Sequence, residues 1–169
     1  MSAANRILRN FALIFDGIGY AGNCEEVIPP KLAIKLERFL AGGLDGSLPI
    51  DMGTEDMELR FKVNDLGADA LSTYGVIGGP DFTANLRGAL QNIDGSIESV
   101  LISCRGKINE VTPSSWQAGQ KANDEFAMAL TYYRKDVDGS TVIEIDIPNM
   151  IRRINGVDQL ANIRAAIGL

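Results

Sequence analysis

Apolar and polar side chains alternate strictly along much of this chain. Between positions 56 and 63, Met57, Leu59, Phe61 and Val63 interleave with Asp56, Glu58, Arg60 and Lys62, the period-two signature of a strand with one buried face. Phe82, Ala84, Leu86 and Leu90 interleave likewise with Thr83, Asn85, Arg87 and Gln91. Further strands are predicted over 7–15, 31–39, 97–108, 126–137 and 141–147. In the last of these, Ile143, Ile145 and Ile147 point one way, and Val142, Glu144 and Asp146 the other. Asp16-Gly17, Asp94-Gly95 and Asp138-Gly139 are the dipeptides that favour tight hairpin turns.

Two helices interrupt this pattern. A short one is predicted over 67–74 and a terminal one over about 156–167, with Asn155 as N-cap and Gly168 as stop. Val157, Leu160, Ile163 and Ile167 fall on one face of the terminal helix and are expected to dock it. The fold class that follows is mainly β, an antiparallel sandwich or barrel with one short internal helix and a C-terminal helix. The chain is expected to be a single domain spanning 1–169.

One stretch breaks the alternation. Positions 40–55 hold Gly42, Gly43, Gly46, Pro49 and Gly53, and a structureless loop of that length is uncommon unless functional. It also keeps Leu44, Leu48, Ile50 and Met52, which an idle solvated loop has no reason to carry. The expectation is an extended arm that buries these side chains on a neighbouring subunit, with a loop folded over its own core as the alternative.

Composition narrows the chemistry. The 169 residues include no histidine, so neither a Ser-His-Asp nor a Cys-His arrangement can be assembled, and the commonest transition-metal ligand is missing. The two cysteines, Cys24 and Cys104, lack CxxC spacing and read as reduced thiols from an intracellular site of synthesis, with one disulfide left open. No apolar run reaches membrane-spanning length, and the N-terminus lacks a signal-type apolar core. A net charge of −6 argues against a surface that grips nucleic acid.

Three motifs have dull explanations that win. Gly17-Ile18-Gly19-Tyr20-Ala21-Gly22 spells a dinucleotide-type GxGxxG, yet Pro29-Pro30 follows too soon for the required helix, so a hairpin is expected. Asp51, Glu55, Asp56 and Glu58 lack EF-hand spacing and read as a solvated acidic face. Trp116 is expected to anchor a loop in the interior rather than stack on a sugar. No catalytic residue, metal site or cofactor is expected.

The segments FDGIGYAG (15–22), PPKLAIKLERFLAGGLDGSLPIDMG (29–53), CRGKINEV (104–111), TYYRKDVDG (131–139) and INGVDQL (154–160), with the acidic strand and terminal helix of 144–169, together resemble the major tail tube proteins of contractile-tailed phages and R-type pyocins. The resemblance implies a non-enzymatic building block that assembles as rings of six, stacked into a hollow inner tail tube. It implies sheath, tape measure, baseplate and tail terminator proteins as partners, and DNA only in transit. It also implies residence in a virion tail or tailocin particle, made and assembled in the bacterial host cytoplasm. Open sheet edges fit that picture, because ring closure pairs them. From strand alternation, Glu58, Glu98, Glu144 and Asp146 are candidates for an acidic channel wall that DNA phosphates would not adhere to. The alternatives are a type VI-like secretion tube and a monomeric carbohydrate-binding β-sandwich using Trp116 and Tyr74.

Overall fold

The computed structural model describes residues 6–64 and 68–169. Two long strands set its frame: β8 (Ile97–Thr112) and β9 (Asp124–Val137) pair antiparallel along nearly their whole length. On the far side of β8 lie β7 (Phe82–Gln91), β1 (Ile7–Phe15) and the two-residue β2 (Ile18–Gly19). The other edge of β9 is shared. Its first half carries β6 (Met57–Val63) and then β3 (Cys24–Ile28), and its second half carries β10 (Ser140–Asp146), β11 (Ile151–Ile154) and β12 (Val157–Asp158). Together these form one ten-stranded sheet.

Hairpin chemistry explains the tight connections. Asp16 and Gly17 both take positive φ, 47° and 82°, as do Asp138 and Gly139 at 47° and 76°. That is the left-handed pair a two-residue turn matched to strand twist requires. The GxGxxG-like segment is accordingly turn and strand, and the element that follows it is β3 rather than a helix.

The sheet coils until its ends meet. Phe15 of β1 lies 5.7 Å, ring centre to ring centre, from Phe61 of β6, which itself stacks on Phe126 at 5.4 Å. Around this trio pack Leu13, Met57, Leu59, Val63, Cys104 and Met128, all essentially sealed from solvent. The alternation of β6 is realised without exception: Met57, Leu59, Phe61 and Val63 are buried, and Glu58, Arg60 and Lys62 are not. Burial without a compensating charge pushes the Cys104 thiol up to about 12, so it is a small core hydrophobe rather than a nucleophile.

A bulge sits where the two longest strands bend. Arg105 faces Tyr132 but the next residue, Gly106, faces Leu130, so Thr131 is left over on β9. The backbones approach so closely here that a Cβ on Gly106 would lie 1.9 Å from the Ala129 carbonyl oxygen. Only glycine fits.

Three expectations need correction. The internal helix is a single turn, α1 (Ala68–Leu71); the start of the expected 67–74 helix, Gly67, lies outside the described residues. Asn155 does not cap a helix. With φ of 46°, followed by Gly156 at 82°, it makes a hairpin turn between β11 and β12, and the terminal helix shrinks to α2 (Ala161–Ala166). The 40–55 segment is not structureless either. Leu48–Thr54 is a strand, β5, paired with β4 (Ile34–Phe39) as a separate two-stranded sheet.

Replacing Gly106 with alanine is expected to cost on the order of 3 kcal/mol or more, because backbone rather than a flexible side chain must move. Urea unfolding followed by circular dichroism checks this; a midpoint equal to that of the parent would contradict the close approach.

Candidate assembly surfaces

The β4–β5 hairpin stands clear of the body. Every residue of β4 and all but Thr54 of β5 are exposed, yet the register puts large apolar groups on both of its faces. Phe39 pairs with Leu48 and Glu37 with Ile50, which sets Phe39, Leu48 and Ile50 on one face; Ile34 and Leu36 lie on the other, opposite Thr54 and Asp51. The joining loop holds Gly42 and Gly43, the latter at φ 89°, and presents Leu40 and Leu44, 67% and 39% exposed. A lone two-stranded hairpin is marginal in water, and a hairpin apolar on both sides has no face it can turn to solvent without loss.

Its base is tied down electrostatically. Arg152 of β11 donates to an Asp51 carboxylate oxygen at 2.6 Å, and the Gly53 amide donates to the other at 2.8 Å. The Arg152 guanidinium, with that amide, holds the Asp51 carboxyl below the usual carboxylate range. Beside this clamp, Met52, Ile145, Ile147, Met150, Leu160 and Ile163 line a cleft of about 560 Å3.

The four expected helix-docking residues do not form a packed stripe. Val157 belongs to β12 and is 62% exposed, Leu160 precedes α2 and is half-buried, and Ile163 and Ile167 are exposed. The chain end is held instead by Asp158, which accepts the Leu160 amide at 3.0 Å and pairs with Arg164 at 2.7 Å. Arg164 also donates to the Met150 carbonyl at 2.7 Å. Those contacts, Arg164 foremost, lower the Asp158 carboxyl. Gly168, at φ 82°, ends the helix where the sequence places the stop.

The face of the sheet turned away from the core is a lattice of paired charges. Glu58 meets Arg60 at 2.6 Å and Arg60 meets Glu125 at 3.2 Å. Arg105 pairs with Asp146 at 3.3 Å while lying over the Tyr132 ring, Arg134 pairs with Asp136 at 2.9 Å, and Arg153 with Glu144 at 2.5 Å. Cross-strand register puts Glu58, Glu144 and Asp146 on this common face. Glu98 is on the other. It aligns with Leu90 and, through it, Leu8, and sits against Arg6 at 3.2 Å. The four carboxylates therefore do not share one wall. Trp116 also departs from expectation: it is 78% exposed, on the loop between β8 and β9.

Taken together, these features define a class of protein. It is a coiled antiparallel β body with free strand edges and a projecting apolar arm, the two features that invite strand pairing and apolar contact from outside the chain. The chain belongs to the phage tail tube protein FII family, whose pattern it matches over residues 5–168. It is 32% identical to the tail tube protein of Escherichia phage P2 over 172 residues, covering 99% of each chain. It is 29% identical to the major tail tube protein of Serratia phage KSP20, covering 96% of this chain and 95% of that one. Among solved structures, the fold is similar to the sheath/tube terminator of an extracellular contractile injection system, PVC, in its extended state. That match has a TM-score of 0.57 at 10% identity and covers 77% of this chain and 95% of the other.

The clamp at the arm base should be acid-labile. A carboxyl held below its ordinary value stabilises the fold above about pH 4 and stops doing so as pH falls through its lowered value. Asp51→Asn should mimic that loss at neutral pH, raising tryptic cleavage after Arg38 by about two- to five-fold, as befits a partly exposed pair. Equal cleavage in the parent and the variant would show that the pair does not hold the arm.

Proposed function

We propose that copies of this chain assemble as rings of six, stacked into the inner tube of a contractile phage tail or phage-tail-like bacteriocin. The observation that carries this reading is the β4–β5 hairpin, exposed and apolar on both faces in a single copy. Family membership supplies the kind of assembly. The arm, Gly42, Gly43, Leu44, Leu48, Ile50 and Met52 included, is covered by a neighbouring subunit. The apolar groups of Val157, Ile163 and Ile167 are a second contact zone at the chain end.

The polar face of the sheet lines the channel, since the opposite face is occupied by the core. Glu58, Glu144 and Asp146 then look into the bore. Each is matched by an arginine within its own subunit, so these carboxylates do not make the wall strongly acidic. Among the described residues of this face Arg87 and Lys107 have no carboxylate partner, two separate cations set among paired charges, so a polyanion in transit meets few sites for binding by counterion release. The role is structural rather than enzymatic, and no cofactor takes part. Sheath, tape measure, baseplate and tail terminator proteins are the partners that such a tube requires, with assembly in the host cytoplasm before incorporation into the particle.

Concentrated protein viewed by negative-stain microscopy should form tubes. The double substitution Leu48→Asp/Ile50→Asp should abolish them while shifting the melting temperature by no more than about 4 °C, as exposed positions ordinarily do. Normal tubes from the double variant would overturn the arm's role.

A further inference from the structure

The body carries an apolar groove that its own core does not fill. Leu8 and Phe11 of β1, Val27 and Pro29 at the end of β3, Leu86 and Leu90 of β7 and Val100 of β8 surround about 270 Å3. That volume is below the roughly 300–1,000 Å3 of a small-molecule site and suits inserted side chains better. Leu8 and Pro29 leave it open at the surface. Among the lining residues Lys135 is the one charge, and it makes no ion pair among the described residues. Glu98, which aligns with Leu90 on this face, is paired with Arg6.

The arm tip has the opposite character. From Phe39 to Leu48 the sequence FLAGGLDGSL carries a single charge, Asp45, which also makes no ion pair among the described residues, flanked by exposed Leu40 and Leu44. In the single copy the tip does not occupy this groove, since no residue from Phe39 to Leu48 lines it. The groove includes Pro29, just before the base of the hairpin, whereas strands of six and seven residues carry the tip roughly 20 Å outward at about 3.3 Å per residue.

We propose that the groove between β1, β3, β7 and β8 receives the arm tip of a second copy, with Leu40 and Leu44 seated among its apolar residues and Asp45 paired with Lys135. This rests on the reading of the hairpin as an inter-subunit arm and specifies what covers it. One lone cation facing one lone anion sets the register of the contact, and the desolvated leucines supply its strength.

A cysteine pair tests the contact directly. Leu44→Cys combined with Leu90→Cys should, on mild oxidation of assembled tubes, give a ladder of covalent multimers that neither single variant gives; tubes that form but yield no ladder would overturn the proposal. Charge reversal is the second arm of the experiment. Lys135→Glu should slow tube growth at least ten-fold by light scattering, and adding Asp45→Lys should restore it. Growth unchanged in Lys135→Glu, or no recovery in the double reversal, would equally overturn the pairing. Failure here leaves the arm reading intact, because that reading is tested separately by whether Leu48→Asp/Ile50→Asp still forms tubes.

Discussion

A two-stranded hairpin with apolar side chains on both faces cannot be at rest in water, and the organisation of this protein follows from that constraint. Apolar surface is worth about 25 cal/mol per Å2 when covered, and in β4–β5 it is covered by neither partner strand nor core. The hairpin is also short and unflanked, so its own hydrogen bonds give it little independent stability. The inter-subunit contact proposed for the arm answers that exposure. The outer edges of β4 and β5 add unpaired backbone groups to the same demand.

The body holds the arm by its roots. Gly106 lets β8 and β9 cross at a bulge, so β9 can hold β6 along one half of its edge and β10 along the other. Only Glu55 and Asp56 separate β5 from β6, which fixes one root of the arm to a strand whose alternate side chains are buried in the core. β11 supplies Arg152 to Asp51 at the same root. A tethered base with an exposed tip fits the contact proposed between subunits, in which docking supplies the stability that the hairpin lacks alone.

Much of the body was legible in the sequence because its physical cause is local. The alternation of β6 and β7 reports which side meets the core, and the Asp-Gly turns report backbone twist. The arm was legible as an anomaly but not as a hairpin. Pro49 and Gly53 disrupt the strand pattern of LPIDMGT, and with both faces exposed in one copy there is no alternation to read. The chain end misled for a different reason. The spacing of Val157, Leu160, Ile163 and Ile167 imitates a helix stripe, whereas Asn155-Gly156 was the turn signal that should have outweighed it. Alternation within one strand also carries no phase between strands. Glu98 and Glu144 could be set on opposite faces only by register, and Trp116 revealed its exposure only in three dimensions.

Amide hydrogen exchange across β4 and β5, compared between dispersed subunits and assembled tubes, addresses the central point most directly. The account expects fast exchange in dispersed subunits, since the strands are stabilised by little but each other, and slowing by about a hundred-fold or more once a neighbour covers them. Exchange in these strands that is already slow in the dispersed subunit, or that stays fast in the tube, would contradict it.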